Sequence, residues 1–409
     1  MITTFYPPYH FGGDATYLQA LARALVNEGH EVEIVHCTDA YRLKDKRSIE
    51  LPPPEPGIRV HRLHHGLGAL SPLITQQTGH PGLKSGALRE ILRRDFDVVH
   101  YHNISLIGGP AVLGWSHAPV TLYTLHEHWM VCPTHILWKN RNRACDRRTC
   151  FSCCLRSGVP PQLWRLTGAL QRGLHGIDVL LAPSRYTADR HIEAGLADDV
   201  TVLPLFSGIA PGERQAAARI RPLFLFVGRV TASKGIVPLL EQFATLPDYD
   251  LMVVGEGDLR AAMALRFATH ANIRFLGLVP QSELADLYAA ATALVFPSLA
   301  PETFGLSVVE AFACGTPAIV RDAGGCREPV DATGGGIVYR KDPEMREAVH
   351  RVAGDKPLRD AMGRLARAGY LHHYTTERHV AAYLDIIATV RERAPAAGGS
   401  ARAGDNHVP

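Results

Sequence analysis

The sequence predicts an α/β protein of two domains, each a parallel sheet with helices on its faces, set against one another across a cleft. Three observations predict it. Short apolar runs alternate with longer stretches of helical spacing along almost the whole chain, as the strands and crossover helices of parallel sheets do. The alternation lapses once, from Pro204 to Pro222, into Pro, Gly, Ala and Arg, and then starts again. A length of 409 residues, 46% apolar and 20% charged, can bury two cores, which excludes a disordered or fibrous chain.

In order, a short lead-in strand is expected from Ile2 to Tyr6, followed by Gly12-Gly13 before the first helix. Leu18, Leu21, Ala22 and Leu25 fall on one face of that helix, and Gly29 ends it. Apolar runs then mark strands at 31–37, 58–63, 97–102, 120–125, 178–182 and 200–203. After the lapse, a second series starts with Leu223 to Val227 and continues at 250–254, 273–276, 293–296 and 317–320. The resulting division is 1–205 for the first domain and 206–376 for the second. A closing helix at 377–393 is expected to pack back on the first domain, and 394–409, rich in Ala and Gly, to form a disordered tail. Two such sheets bind ligands where open α/β sheets do, at the carboxyl ends of their strands.

A formal charge of +3, from 43 basic and 40 acidic residues, provides no global field for nucleic acid or an anionic membrane. Only 7 of the basic residues are Lys; the Arg excess suits phosphate but equally reflects gene base composition. No apolar run approaches the roughly 20 residues that span a bilayer, and no signal-like region precedes the first motif, so the chain reads as cytoplasmic. Cys132, Cys145, Cys150, Cys153 and Cys154 fall within 23 residues, whereas Cys37, Cys314 and Cys326 stand singly and read as small buried hydrophobes.

The strongest segment runs from Pro301 to Pro317. The strand Ala293 to Phe296 leads into a loop holding Glu302, then Phe304, Gly305 and Leu306 open a helix that carries Glu310 and ends near Cys314. A helix start beside a glycine offers free N–H groups to a phosphate, and the two carboxylates reach different parts of one elongated ligand. Read alone, Glu302 is equally a carboxylate satisfying the helix dipole, and Glu310 a solvated helix residue. In the second segment a strand ends at Gly228, and Arg229 and Lys234 follow in the turn. Arg can bind a diphosphate in a fork and Lys as a point charge; loop cations solvated by water have the same pattern. Lys234 is followed by Gly235, so this is not a P-loop. Gly12 and Gly13 before the first helix form a further anion-friendly turn.

Together these segments resemble the retaining glycosyltransferases of the GT-B fold, two facing Rossmann-like domains, and within them the glycogen-synthase-like family four, or glycosyl transferases group 1. The likeness runs from Gly12-Gly13 through Gly29-His30-Glu31-Val32, Arg229 with Lys234, and Glu302 with Glu310, to the closing helix. It implies that the first domain receives the acceptor and the second a nucleotide-sugar donor. Arg229 and Lys234 would neutralise the diphosphate, Phe304, Gly305 and Leu306 would offer it backbone contacts, Glu310 would bind ribose hydroxyls, and Glu302 the transferred sugar. A His after the strand Val120 to Leu125 contacts the sugar in this family, a role that falls to His126; the next residue is Glu127 where the family often has Asp. The resemblance also implies retention of anomeric configuration, in surface polysaccharide, lipid-linked glycan or small glycoside synthesis, with no cofactor for catalysis. Asp95-Phe96-Asp97 and Asp248-Tyr249-Asp250 look like metal-binding pairs, but both precede strands, away from the ligand edge.

The cysteine-rich insertion, about 130–156, has the spacing for a structural zinc on Cys132, Cys145, Cys150 and Cys153, with Cys154 as alternative ligand; free buried thiols or redox pairs fit as well. Arg141, Arg143, Arg147, Arg148, Arg156, Arg165 and Arg172 could meet a phosphorylated or lipid-linked acceptor or the inner membrane face, or form a solvated basic face. A nucleotide-sugar epimerase of the same fold is the nearest alternative. A sugar phosphorylase lacks any specific feature here, and a nucleic-acid-binding module built on the Cys and Arg loop is disfavoured by the near-neutral charge.

Overall fold

A computed structural model describes residues 1–43, 45, 49–209 and 221–393. Most of the stretch where the sequence pattern lapses, and the tail expected at 394–409, lie outside the described residues. The strands in chain order are β1 (Val32–Cys37), β2 (Ile58–Leu63), β3 (Val98–Tyr101), β4 (Val120–Thr124), β5 (Trp138–Lys139), β6 (Arg143–Ala144), β7 (Val179–Ala182), β8 (Thr201–Val202), β9 (Leu223–Val227), β10 (Asp250–Val254), β11 (Ile273–Gly277), β12 (Ala293–Phe296), β13 (Ala318–Arg321) and β14 (Gly336–Tyr339).

In the first half, β1 pairs with β2, and β3-β4-β7-β8 form a parallel sheet. Ile2 bridges the two groups, lying parallel to Val35 on one side and Tyr101 on the other. The lead-in strand expected from Ile2 to Tyr6 is thus reduced to one bridging residue, because the chain turns away after Thr4 and Tyr6 bonds to Tyr9 instead.

The second half is one parallel sheet in the order β11-β10-β9-β12-β13-β14. Buried on both faces, its central strands β9 and β12 read as continuous apolar runs: Leu223 to Phe226 are all at most 3% exposed. The strand order reverses between β9 and β12, and a crevice for ligands opens at the carboxyl ends there. β14 was invisible in the sequence because Gly334, Gly335 and Gly336 read as a turn. Gly336 is needed in the strand: a Cβ on it would stand 2.1 Å from the Ala318 carbonyl oxygen.

The closing helix, Thr376–Arg393, lies against the first half. His379 Nε2 meets the Tyr17 hydroxyl at 2.8 Å, its Nδ1 meets the Pro204 carbonyl at 2.8 Å, and His100 Nδ1 meets the Tyr383 hydroxyl at 3.0 Å. Among the described residues, no helix is long and apolar enough to cross a membrane.

Candidate functional site

Two turns at the carboxyl edge of the second sheet place the acidic and basic side chains. After β9, Gly228 and Arg229 lead into a single 3₁₀ turn, Ala232–Lys234, closed by Gly235 at φ 71°. A Cβ on Gly235 would lie 2.0 Å from the Pro297 carbonyl oxygen, so only glycine lets this turn press against the end of β12. That closeness brings Lys234 to the loop after β12. Its Nζ donates to both oxygens of Glu302, at 2.7 and 2.8 Å, and the Ser298 hydroxyl donates to Glu302 as well. The pair is half-sheltered, with side chains 23% and 16% exposed. Lys234, expected from the resemblance to neutralise a diphosphate, is paired with Glu302 before any ligand arrives, while Arg229 on the same turn is exposed.

The Glu302 backbone is pinned as well: its N–H donates to Ala323 O at 2.9 Å, and Gly325 N–H donates to Glu302 O at 2.8 Å. Beyond it, Gly305 caps the Leu306–Ala313 helix without a side-chain cap. The first N–H groups of such a helix point outward, where the dipole favours an anion. Phe304 is buried, so only its backbone faces that position. Leu306 reaches the other half of the molecule: a Cβ on Gly13 would stand 3.1 Å from its Cδ2. The helix start and the Gly12-Gly13 turn therefore oppose one another directly across the cleft.

Glu310, four residues on from Leu306 and so on the same helical face, is buried and accepts a hydrogen bond from the Tyr288 hydroxyl at 2.7 Å. It is not the solvated residue that the spacing also permitted. Burial pushes its carboxyl up to about 7, against the pull of the Tyr288 hydrogen bond toward the ionised form. Asp14, in the first turn of the Gly13–Asn27 helix, is also pushed up by burial and by Glu127, and is lowered by Arg229, whose charge acts across the cleft.

His126 stands at the carboxyl end of β4. Its backbone oxygen accepts from the Thr303 hydroxyl at 2.9 Å, which ties it to the residue after Glu302. Its ring Nε2 meets His102 Nδ1 at 2.9 Å, and Nδ1 is buried without a partner among the described residues. Burial lowers it to about 3, so the imidazole is neutral near pH 7. Thr303 is held from the same side by Ser184 and Thr187, whose hydroxyls donate to its carbonyl at 2.6 and 3.0 Å. Glu127 pairs with His135 at 2.9 Å.

The five clustered cysteines carry free thiols. Cys150, Cys153 and Cys154 share one helix, Cys150–Arg156. Yet among the described residues no group of three or more His, Cys, Asp or Glu is placed to hold a metal ion. The thiols have other neighbours: Cys132 meets Thr134, Cys153 accepts from Asn140 N–H, and Cys145 donates to Arg147 O. Arg165 is not a free cation of the basic loop. It donates to Trp129 O at 2.7 Å and Met130 O at 3.1 Å beneath the Trp164 ring, a structural position. The Asp-x-Asp pairs lie at amino ends, with Asp97 held by Arg391 and Asp250 by Arg221.

Ser298, Tyr288, Thr303 and His102 were not singled out in the sequence. Ser298, two residues past the end of β12, and Thr303, directly after Glu302, left a local trace there; Tyr288 and His102 reach the site through tertiary contacts that no local spacing encodes.

Two family descriptions match the chain: Glycosyltransferase Family 4 over residues 11–206, and Glycosyl transferases group 1 over 213–369. A D-inositol 3-phosphate glycosyltransferase of Xylanimonas cellulosilytica is 30% identical, over 94% of this chain and 93% of the relative. One of the same name from Streptomyces bingchenggensis is 32% identical, over 92% and 84%. Among solved structures, sucrose-phosphate synthase of Thermosynechococcus elongatus superposes with a TM-score of 0.75 at 19% identity, covering 95% of this chain and 98% of that one. Anabaena HepE in complex with UDP and glucose superposes with a TM-score of 0.65 at 16% identity, over 95% and 99%. These structures share the GT-B fold of two Rossmann-like domains. With sequence identity of this extent across both halves, the chain belongs to the glycosyl transferases group 1 family and is a glycosyltransferase.

Proposed function

We propose that this enzyme moves a sugar from a nucleotide-sugar donor to a hydroxyl acceptor with retention of anomeric configuration. The donor lies on the second half and the acceptor on the first. The observation that carries this reading is the Lys234–Glu302 pair, set beside the helix start at Gly305 and opposite the Gly12-Gly13 turn. Breaking the bond from sugar to diphosphate builds negative charge on the leaving group. Arg229, Lys234 and the N–H groups at the helix start stabilise that charge more in the transition state than in the ground state. Glu302, already fixed by Lys234 and Ser298, needs no reorganisation to hold the sugar hydroxyls. Glu310 accepts from the ribose, and neutral His126 turns its unpartnered Nδ1 toward the sugar. In this scheme the departing diphosphate takes the acceptor proton on the face that it leaves, and no side-chain base is required. The solved complex of a fold neighbour with UDP and glucose supports the donor class. The name shared by several relatives makes a phosphorylated cyclitol the first acceptor to assay.

A thermal-shift screen of UDP, GDP, ADP and dTDP sugars identifies the donor, because a tight ligand raises apparent stability by mass action. With that donor, Glu302→Gln is expected to lower kcat on the order of 10²-fold or more while donor affinity stays within a few fold. NMR of the product should show the donor's own anomeric configuration. An inverted product, or an epimer formed from donor alone, would refute the scheme.

A further inference from the structure

Two strand ends of the first sheet carry a pair of imidazoles, of which the transfer scheme uses only one. β3 and β4 are parallel neighbours, and His102 follows the first as His126 follows the second. Their rings lie 5.1 Å apart at 21°, and His102 Nδ1 meets His126 Nε2 at 2.9 Å. The far nitrogens, His102 Nε2 and His126 Nδ1, are buried without a partner among the described residues. Burial holds both rings neutral near pH 7: His126 is lowered to about 3, and His102 well below the ordinary 6.5. A neutral ring has one N–H and one lone pair, so a hydrogen bond between two such rings fixes both tautomers together.

Two arrangements satisfy that bond. If His102 donates, its Nε2 is left a bare lone pair and His126 holds its own proton on Nδ1. If His126 donates, its Nδ1 is bare and an unpartnered N–H falls on His102 Nε2. Each strands one N–H in the free enzyme, and a buried N–H without an acceptor is rarer and costlier than a bare lone pair. The difference is where it is stranded. His102 is 2% exposed and stacked on His100 at 3.9 Å, and His100 is itself held by the Tyr383 and Thr124 hydroxyls at 3.0 and 2.8 Å. No acceptor among the described residues reaches its Nε2. His126 is only half-buried, at the carboxyl end of β4 where the cleft lies. A proton on its Nδ1 meets an oxygen when a sugar enters, and only a lone pair then stays unsatisfied.

We propose that His102 is a positioning residue for the transfer: it donates from Nδ1 to His126 Nε2, and so makes His126 offer the sugar an N–H rather than a lone pair. The sugar oxygen that meets His126 must then accept. This inference rests on the sugar contact proposed for His126, but the tautomers can be read without any donor.

Two-bond proton–nitrogen correlation spectra of the full-length enzyme, labelled with heavy nitrogen in histidine, test it, with His102→Asn and His102→Leu to assign the signals. In the wild type both His102 and His126 should show a protonated Nδ1 and a bare Nε2. Protonated Nε2 on both would overturn the proposal. In His102→Asn the amide nitrogen takes the place of Nδ1 and the bond survives, so kcat is expected within about threefold of wild type. His102→Leu removes the donor. The Nδ1–H form of His126 should lose its dominance and kcat should fall about tenfold or more, while affinity for the donor's nucleoside diphosphate, which does not reach His126, stays within about threefold. Unchanged kcat in His102→Leu, or an equal loss in both variants, would reduce His102 to a packing role and overturn the proposal. An inverted product, by contrast, would refute the transfer scheme and leave the tautomers as found.

Discussion

Glu310 shows how one buried carboxyl couples stability to ligand binding. Its folded value, about 7, lies above the ordinary value of 4.5 because burial disfavours the charged form. A raised acid contributes its stability below pH 4.5 and loses it as pH rises through 7, a difference of about 3 kcal/mol. Ribose hydroxyls, by contrast, are best accepted by the ionised carboxylate. Donor affinity should therefore fall as pH drops below 7, and Glu310→Gln should make it weaker and independent of pH. The stability effect runs the other way: the melting temperature of Glu310→Gln relative to wild type should increase from pH 5 to pH 8. Calorimetric titration and melting across that range check both signs. A wild-type donor affinity that is flat through pH 7 would separate Glu310 from the ribose.

At the scale of elements, the strands were legible because parallel strands buried on both faces leave unbroken apolar runs, as Leu223 to Val227 does. β14 was not, since its opening glycines exist to let β13 approach, and their lack of side chains erases the signal. The β5–β6 hairpin was also missed: two residues on each side are too short for periodicity, and the left-handed Asn140 and Arg141 form its turn. Close approach is equally decisive at Gly235. There, Gly235→Ala must accommodate both φ 71° and a Cβ 2.0 Å from a backbone oxygen. A cost of about 3 kcal/mol or more is expected, with weaker donor binding because Lys234 moves with the turn. Gly29 is the control. Its φ of 89° is as unusual, but a Cβ there meets nothing within 4 Å, so Gly29→Ala should cost only about 1–2 kcal/mol. Urea unfolding distinguishes strain from collision; equal losses at the two positions would mean that the β12 contact is not tight.

For the whole molecule, local spacing does not carry how distant residues are paired. Glu302 and Lys234 lie 68 residues apart, and the parallel pairing of β9 with β12 brings the loops that carry them together. The closing helix differs: its spacing reveals only an apolar face, and the expectation that it packs back on the first domain named the surface that it covers. That surface belongs to the other half: His379, Val380, Tyr383 and Ile387 are buried, with Tyr383 on His100 and His379 on Tyr17. If the helix clasps the halves together, damage to it must be felt in the half to which it is not adjacent in sequence. Tyr383→Ala should cost about 3–5 kcal/mol, as removal of a buried aromatic side chain does, and Tyr383→Phe only about 1 kcal/mol for the hydrogen bond. Hydrogen exchange locates the loss. The alanine variant should speed exchange in β3 and β4, beside His100 and Thr124, while β9 to β13 keep their protection. Faster exchange confined to the helix itself would make it a terminal appendage rather than a clasp, and the two halves would then be held by cleft contacts such as those of Ser184, Thr187 and His126 with Thr303 and of the Arg185 and Tyr186 N–H groups with Glu328.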